Sequence, residues 1–141
     1  MSYATNRDLE RVSAALGQAM DLAKSHAARG FEVEYKDGGS PVTIADREID
    51  QLLSQIVPEP SDGWLSEESL DSDERLSCSR VWVVDPIDGT RSFAAGRSDY
   101  SVSIALLVDG QPVLGAVGAP SHDVQIVGGP ELGVHVTGTP V

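Results

Sequence analysis

Between Tyr100 and Pro120 the chain reads YSVSIALLVDGQPVLGAVGAP, two apolar runs separated by Asp109-Gly110. Asp-Gly between such runs selects a tight hairpin, because both turn residues need positive φ values that few other pairs tolerate. Strands this apolar must be covered, so the stretch commits the chain to a sheet with another layer packed on it. Further short strands are expected in GWLSEES and RVWVVD, on either side of a polar loop over 69–79, and in DVQIVGG and LGVHVTG. Nine of the 14 glycines lie at or after Gly89, which supports a turn-rich second half.

The first part of the chain has a different period. Leu9, Val12, Leu16, Met20 and Ala23 recur at three- and four-residue spacing, which predicts an amphipathic helix from about Asn6 to Arg29 that Gly30 ends. An extended piece and a loop are expected in EVEYKDGGSP. A second helix follows in SPVTIADREIDQLLSQIVP, with Thr43 at the N-cap, Asp46 three residues on, Ile49, Leu52, Leu53 and Ile56 on one face, and Pro58 as the stop. The expected fold class is α+β and layered, two N-terminal helices packed on a mainly antiparallel sheet.

Composition narrows the function classes. With 141 residues, 40% apolar and 23% charged, the chain has the make-up of one globular domain, with no internal repeat or linker. No apolar run approaches a membrane span, the N-terminal residues lead to the expectation of no secretion signal, and the single Cys78 fits a reducing, cytoplasmic setting. A net charge of −12 argues against a nucleic-acid polymer or an anionic membrane as partner. It also means that an anionic substrate would need cations at its site first.

The chemistry concentrates in VWVVDPIDGTRSF, where Asp85 and Asp88 follow an apolar strand. Two like charges there repel unless a cation joins them. Pro86 interrupts a strand ladder and Gly89 permits unusual backbone angles, so a sharp turn can converge Asp85, the Ile87 carbonyl, Asp88 and the Thr90 hydroxyl. All four are hard oxygen donors, suited to magnesium rather than zinc. An Asp-rich turn with Thr90 as a cap is the plain alternative. Glu67-Glu68 in LSEES can likewise be a solvated loop, Asp46 a capping-box residue only, and Lys36 a surface lysine.

Together, SPVTIADREI, LSEES and WVVDPIDGTRSF, in that order and spacing, resemble the inositol monophosphatase superfamily of magnesium-dependent phosphatases. The likeness continues through SIALLVDGQPVLGAVGAP and more loosely through GGPELGVHVTGTPV, so it spans nearly the whole chain from about residue 36, with the first helix compatible but uninformative. The superfamily hydrolyses inositol phosphates, 3′(2′),5′-bisphosphate nucleotides, histidinol phosphate and fructose bisphosphate. What the resemblance implies follows position by position. Glu67, Asp85 and the Ile87 carbonyl would hold one Mg2+, and Asp88 with Asp85 a second. Glu68 would assist a third, weaker ion through water. Thr90, paired with Asp46, would orient and deprotonate the attacking water. The Gly89 and Thr90 backbone would receive phosphate oxygens, with Lys36 close to the weaker metal and the phosphate. The substrate would be a small phosphorylated metabolite. The D-x-D pattern of haloacid-dehalogenase phosphatases does not fit, because Ile87 stands two residues after Asp85.

Family members are usually about twice as long, and a second domain supplies a further metal-binding aspartate within a W-D-x-A-like motif. Neither Trp64 nor Trp82 has that context. The resemblance therefore leads to the expectation of an N-terminal metal-binding domain over 1–141, the N-terminal half only of the family's αβαβα fold, with the C-terminal domain absent. Apolar surface left open would make it a homodimer. On its own the chain is expected to be inactive or weakly active, and a truncated, inactive remnant or an interaction module with a vestigial metal site is the alternative to an enzyme.

Overall fold

The computed structural model describes residues 4–30, 33–35, 41–69 and 71–138. Helix α1 (Asn6–Arg29) begins at a capping box formed by Thr5 and Asp8 and ends at Gly30, whose φ is 78°. Strand β1 (Val33–Tyr35) is the expected extended piece, and it pairs antiparallel with β2 (Pro41–Thr43), a strand that the sequence pattern does not reveal. Helix α2 (Ile44–Ile56) starts at the expected Thr43–Asp46 box. The main sheet follows as β3 (Gly63–Ser66), β4 (Arg80–Asp88), β5 (Ser101–Val108), β6 (Gln111–Ala119), β7 (Val124–Gly129) and β8 (Gly133–Thr137), neighbouring in that order. A short helix, α3 (Thr90–Ala94), leaves the end of β4.

The expected fold class is corrected here. Among the described residues three helices, not two, accompany a six-stranded mixed sheet, in which β3 and β4 run parallel while the other four neighbouring pairs are antiparallel. The reason is the long connection. Parallel neighbours need a return segment of about a dozen residues, and 67–79, with a 3₁₀ turn at Asp73–Ser77, supplies it. A second correction concerns Pro86, which does not end the ladder. Asp85 pairs with Ser103 and Asp88 with Ser101, so the Pro86-Ile87 pair lies opposite Val102 alone, as a bulge. Bulges tolerate proline and re-aim the side chains around them. The Asp109-Gly110 hairpin forms as expected, with φ values of 49° and 79°.

Helix α1 lies over β5, β6 and β7, and α2 over β4. Between them, Val12, Leu16, Ile49, Leu53, Trp82, Val102 and Leu106 are fully enclosed. α1 comes so close to β6 that a Cβ on Gly118 would stand 2.6 Å from the Met20 sulfur. The opposite face of the sheet carries an open apolar groove of about 550 Å³ lined by Val83, Ala105, Val117, Ile126 and Val134, with Asp85 at its margin. No helix among the described residues is long and apolar enough to cross a membrane.

An ionic network ties the start of α1 to the sheet. Arg80 donates to both Asp8 oxygens at 2.8 and 3.3 Å and through Nε to Asp62 at 3.0 Å, and the Trp82 indole N–H donates to Asp62 at 2.9 Å. Burial would push the Asp8 carboxyl up, but the bonds from Arg80 and Thr5 outweigh it and hold the group below its ordinary value. A depressed folded-state value means stability that is present above the unfolded-state value and lost as pH falls through the folded one. Asp8→Asn is therefore expected to cost about 2 kcal/mol at neutral pH, the worth of a hydrogen bond to a charged group. Urea unfolding of both proteins should show that difference shrinking once the pH is below about 4. An unchanged difference in acid would remove the ion pair as its cause.

Candidate metal and phosphate site

Three segments meet at the end of β4. The first is the bulge itself. Alternation along β4 buries Trp82 and Val84 under the helices and leaves Asp85 on the other side. The extra residue of the bulge then buries both Pro86 and Ile87 and turns Asp88 outward. Gly89 follows in the left-handed region at φ 91°, and a Cβ there would lie 2.8 Å from the Asp99 carbonyl. A side chain would be both strained and obstructed, so glycine is required where the chain swings into α3.

The second segment is the first turn of α2. Asp46 is fully buried and uses its two oxygens differently. Oδ2 accepts from the Thr43 backbone N–H at 2.8 Å and the Thr43 hydroxyl at 2.6 Å, completing the cap. Oδ1 accepts from the Thr90 hydroxyl at 2.9 Å. The capping and the Thr90-pairing readings of Asp46 are thus both structural facts. Thr90 Oγ1 also stands 3.1 Å from the Ile87 carbonyl. One hydroxyl hydrogen cannot serve both acceptors, and the buried carboxylate is the stronger.

The third segment is the turn after β3, which carries Glu67 and Glu68. Glu67 hydrogen-bonds Asp85. Burial, then the charges of Glu67 and Asp88, the Glu67 bond and the charge of Asp46 push the Asp85 carboxyl up to about 7. Its Oδ1 is buried and receives no hydrogen bond among the described residues. Like-charged oxygens around an acceptor with no donor define a place for a cation. Among the described residues no group of three or more His, Cys, Asp or Glu side chains is already spaced as a metal cage. The donors here include a backbone carbonyl, and the orphaned Asp85 oxygen fits a hard divalent cation.

The structure therefore brings Asp46, Glu67, Asp85, Ile87, Asp88, Gly89 and Thr90 into one region, with Glu68 on the adjoining turn. Lys36 lies outside the described residues. Beside Asp88 and Gly89 opens a cavity of about 350 Å³ that Ser98, Asp99 and His122 also line. Sequence reasoning singles out none of these three, because their loops carry no spacing signal. It also passes over Asp50, although a carboxylate between Ile49 and Leu53 on a core-facing helix was a signal that could have been read.

The chain matches the sequence model of the Inositol monophosphatase family over residues 6–141. It is 35% identical over 126 residues to the chloroplastic bifunctional phosphatase IMPL2 of Arabidopsis thaliana, covering 84% of this chain and 36% of that protein. It is 39% identical over 116 residues to a histidinol-phosphatase of Chlorobaculum parvum, covering 80% and 44%. Among solved structures, the IMPase of Thermotoga maritima superposes with a TM-score of 0.84 at 28% identity, over 97% of this chain and 53% of that one. These matches correct the expected extent of the likeness. It is not limited to an N-terminal half, and it begins at residue 6 rather than about residue 36, so that α1 is part of it. The chain spans about half the length of the relatives it matches, or less.

Proposed function

Because this chain belongs to the inositol monophosphatase family, we propose that it serves the hydrolysis of a small phosphomonoester by water with the help of divalent cations. The observation that carries this reading is the Asp46–Thr90 hydrogen bond standing beside the mutually repelling Asp85 cluster.

With its hydrogen given to Asp46, Thr90 Oγ1 turns a lone pair outward, where it can accept a proton from a water molecule. That proton would move to Thr90 as the Thr90 hydrogen moves to Asp46 Oδ1. The water oxygen bonds to phosphorus, the phosphorus–ester oxygen bond breaks, and the departing alkoxide takes a proton from solvent. Glu67, Asp85 and the Ile87 carbonyl would hold one Mg2+, Asp85 and Asp88 a second, and Glu68 a further ion through water. Bound cations would offset the carboxylate charge, polarise the water and stabilise charge on the phosphate oxygens. The backbone at Gly89 and Thr90, with Lys36, completes the proposed phosphate contacts. The cavity next to Asp88, with Ser98, Asp99 and His122 in its lining, offers hydrogen-bonding groups to the alcohol part of a metabolite.

Names of relatives narrow the candidates, since one is called a histidinol-phosphatase and another a 3′(2′),5′-bisphosphate nucleotidase. The test is phosphate release from histidinol phosphate, 3′-phosphoadenosine 5′-phosphate and inositol 1-phosphate, with Mg2+ and with EDTA. Because the chain spans about half of its relatives' length or less, weak release from at least one, stopped by EDTA, is the expected result. A chain that binds Mn2+ yet releases phosphate from none of them would be a metal-binding module instead.

A further inference from the structure

Two carboxylates stand one turn apart on the buried side of α2, and the site as described uses only Asp46. Asp50 is 7% exposed, between Ile49 and Leu53 in a helix face that is apolar apart from it and Asp46. Its Oδ2 accepts a hydrogen bond from the Ser69 hydroxyl. Its Oδ1 is buried and receives no bond among the described residues. A carboxylate in such a position is costly to keep, and an uncharged side chain would pack there more cheaply. What it grips is informative. Ser69 immediately follows Glu67-Glu68, and on the other side of that pair the Ser66 hydroxyl oxygen accepts from the Glu68 backbone N–H at 3.3 Å. Ser66 is itself 6% exposed, at the end of β3. The glutamate pair is therefore clamped between two serines, one anchored in the sheet and one in α2.

We propose that Asp50 is a positioning residue, which through Ser69 holds the Glu67-Glu68 turn at a set distance from Thr90. The same rigid helix grips Thr90 with Asp46, so α2 acts as a spacer between the glutamate and aspartate halves of the carboxylate cluster. Four residues of helix rise about 6 Å, and both grips point to the same side because they are about one turn apart. The consequence for cations rests on the metal-site reading above. The clamp itself does not.

Ser69→Ala removes the donor and leaves every carboxylate in place, and Ser69→Thr restores a hydroxyl. Calorimetry with Mn2+ on the whole chain is expected to show affinity about 10-fold weaker in Ser69→Ala, as when the partner of a metal ligand is removed. Amide exchange at Glu67 and Glu68 should be about 5- to 10-fold faster, with α1 protected as in the wild type. Melting should fall by no more than about 5 °C, the effect of one hydrogen bond in a chain of this size. Ser69→Thr should recover both affinity and protection. Wild-type exchange at Glu67 and Glu68 in Ser69→Ala, or acceleration spread equally over α1 and the sheet, would overturn the proposal. A wild-type chain that binds no Mn2+ would sink the metal reading, and the exchange rates would then decide the clamp by themselves.

Discussion

Asp85→Asn is expected to make the metal-free chain more stable while abolishing its response to divalent cations. In the wild type, burial and the charges of Glu67, Asp88 and Asp46 raise the Asp85 carboxyl to about 7. A carboxyl with a raised folded-state value favours the folded state only while protonated. Its contribution is full below the unfolded-state value near 4 and is lost as pH rises through about 7. Above that pH the wild type carries an opposed cluster with one oxygen orphaned. Asparagine carries no charge, and its amide can donate to a neighbouring carboxylate. Because Asp85 is partly exposed, solvent screening reduces the gain, leaving about 2 kcal/mol at pH 8. In melting temperature that is roughly 5–8 °C for a chain of this size. At pH 5 the two proteins should melt closer together. Saturating Mn2+ should stabilise the wild type alone, since binding to the folded state adds about 2.7 kcal/mol at 100 times the dissociation constant. Calorimetric melts with EDTA and with Mn2+ at both pH values check this. Equal Mn2+ binding in the two proteins, or a lower melting temperature for the variant at pH 8 in EDTA, would show that Asp85 is not a cation-binding carboxyl.

The second large effect is on turnover. Asp46→Asn leaves one acceptor oxygen and one donor nitrogen where two acceptors stood. Keeping the Thr43 cap requires the oxygen on that side, which puts the amide nitrogen against Thr90 Oγ1. The Thr90 bond is then reversed, and no carboxylate remains to take the Thr90 hydrogen as the hydroxyl accepts a proton from water. The fold should survive at a cost of about 1 kcal/mol, as for a weakened cap. Phosphate release should fall about 10²- to 10⁴-fold, the usual contribution of a positioned base. Thr90→Ala should match it, and Thr90→Ser should retain most activity because the hydroxyl remains. Steady-state kinetics with thermal melts separate the two roles. Near-normal turnover in Asp46→Asn would mean that Asp46 caps α2 and does nothing further.

Much of this protein was legible before its structure, where neighbours along the chain decide the outcome. The apolar spacing from Leu9 to Ala23 and the stop at Gly30 specify α1, because residues three and four apart share a helix face. Thr43 and Asp46 specify the start of α2 by bonds that span three residues. Asp109-Gly110 specifies the hairpin, since both φ values there are positive. The order of oxygen-bearing residues in DPIDGT and the preceding SEES turn was equally plain, and so was the hard-cation chemistry that such donors favour.

Other features depended on contacts between distant parts of the chain. The parallel run of β3 beside β4 depends on where the 67–79 segment delivers the chain, which no local period encodes. Pro86 stays within the strand because β5 accommodates a bulge opposite Val102. Arg80 meets Asp8 across 72 positions, and Asp46 meets Thr90 across 44, only after α1 and α2 have packed on the sheet. The same holds for Asp50 and Ser69, whose residue types have many uses on a helix or in a loop. Helix periods, caps and turns are short-range and can be read residue by residue from the sequence. The raised Asp85 carboxyl, its orphaned oxygen and the spacing of the carboxylate cluster arise from burial and from charges brought together by packing, and so belong to the tertiary structure alone.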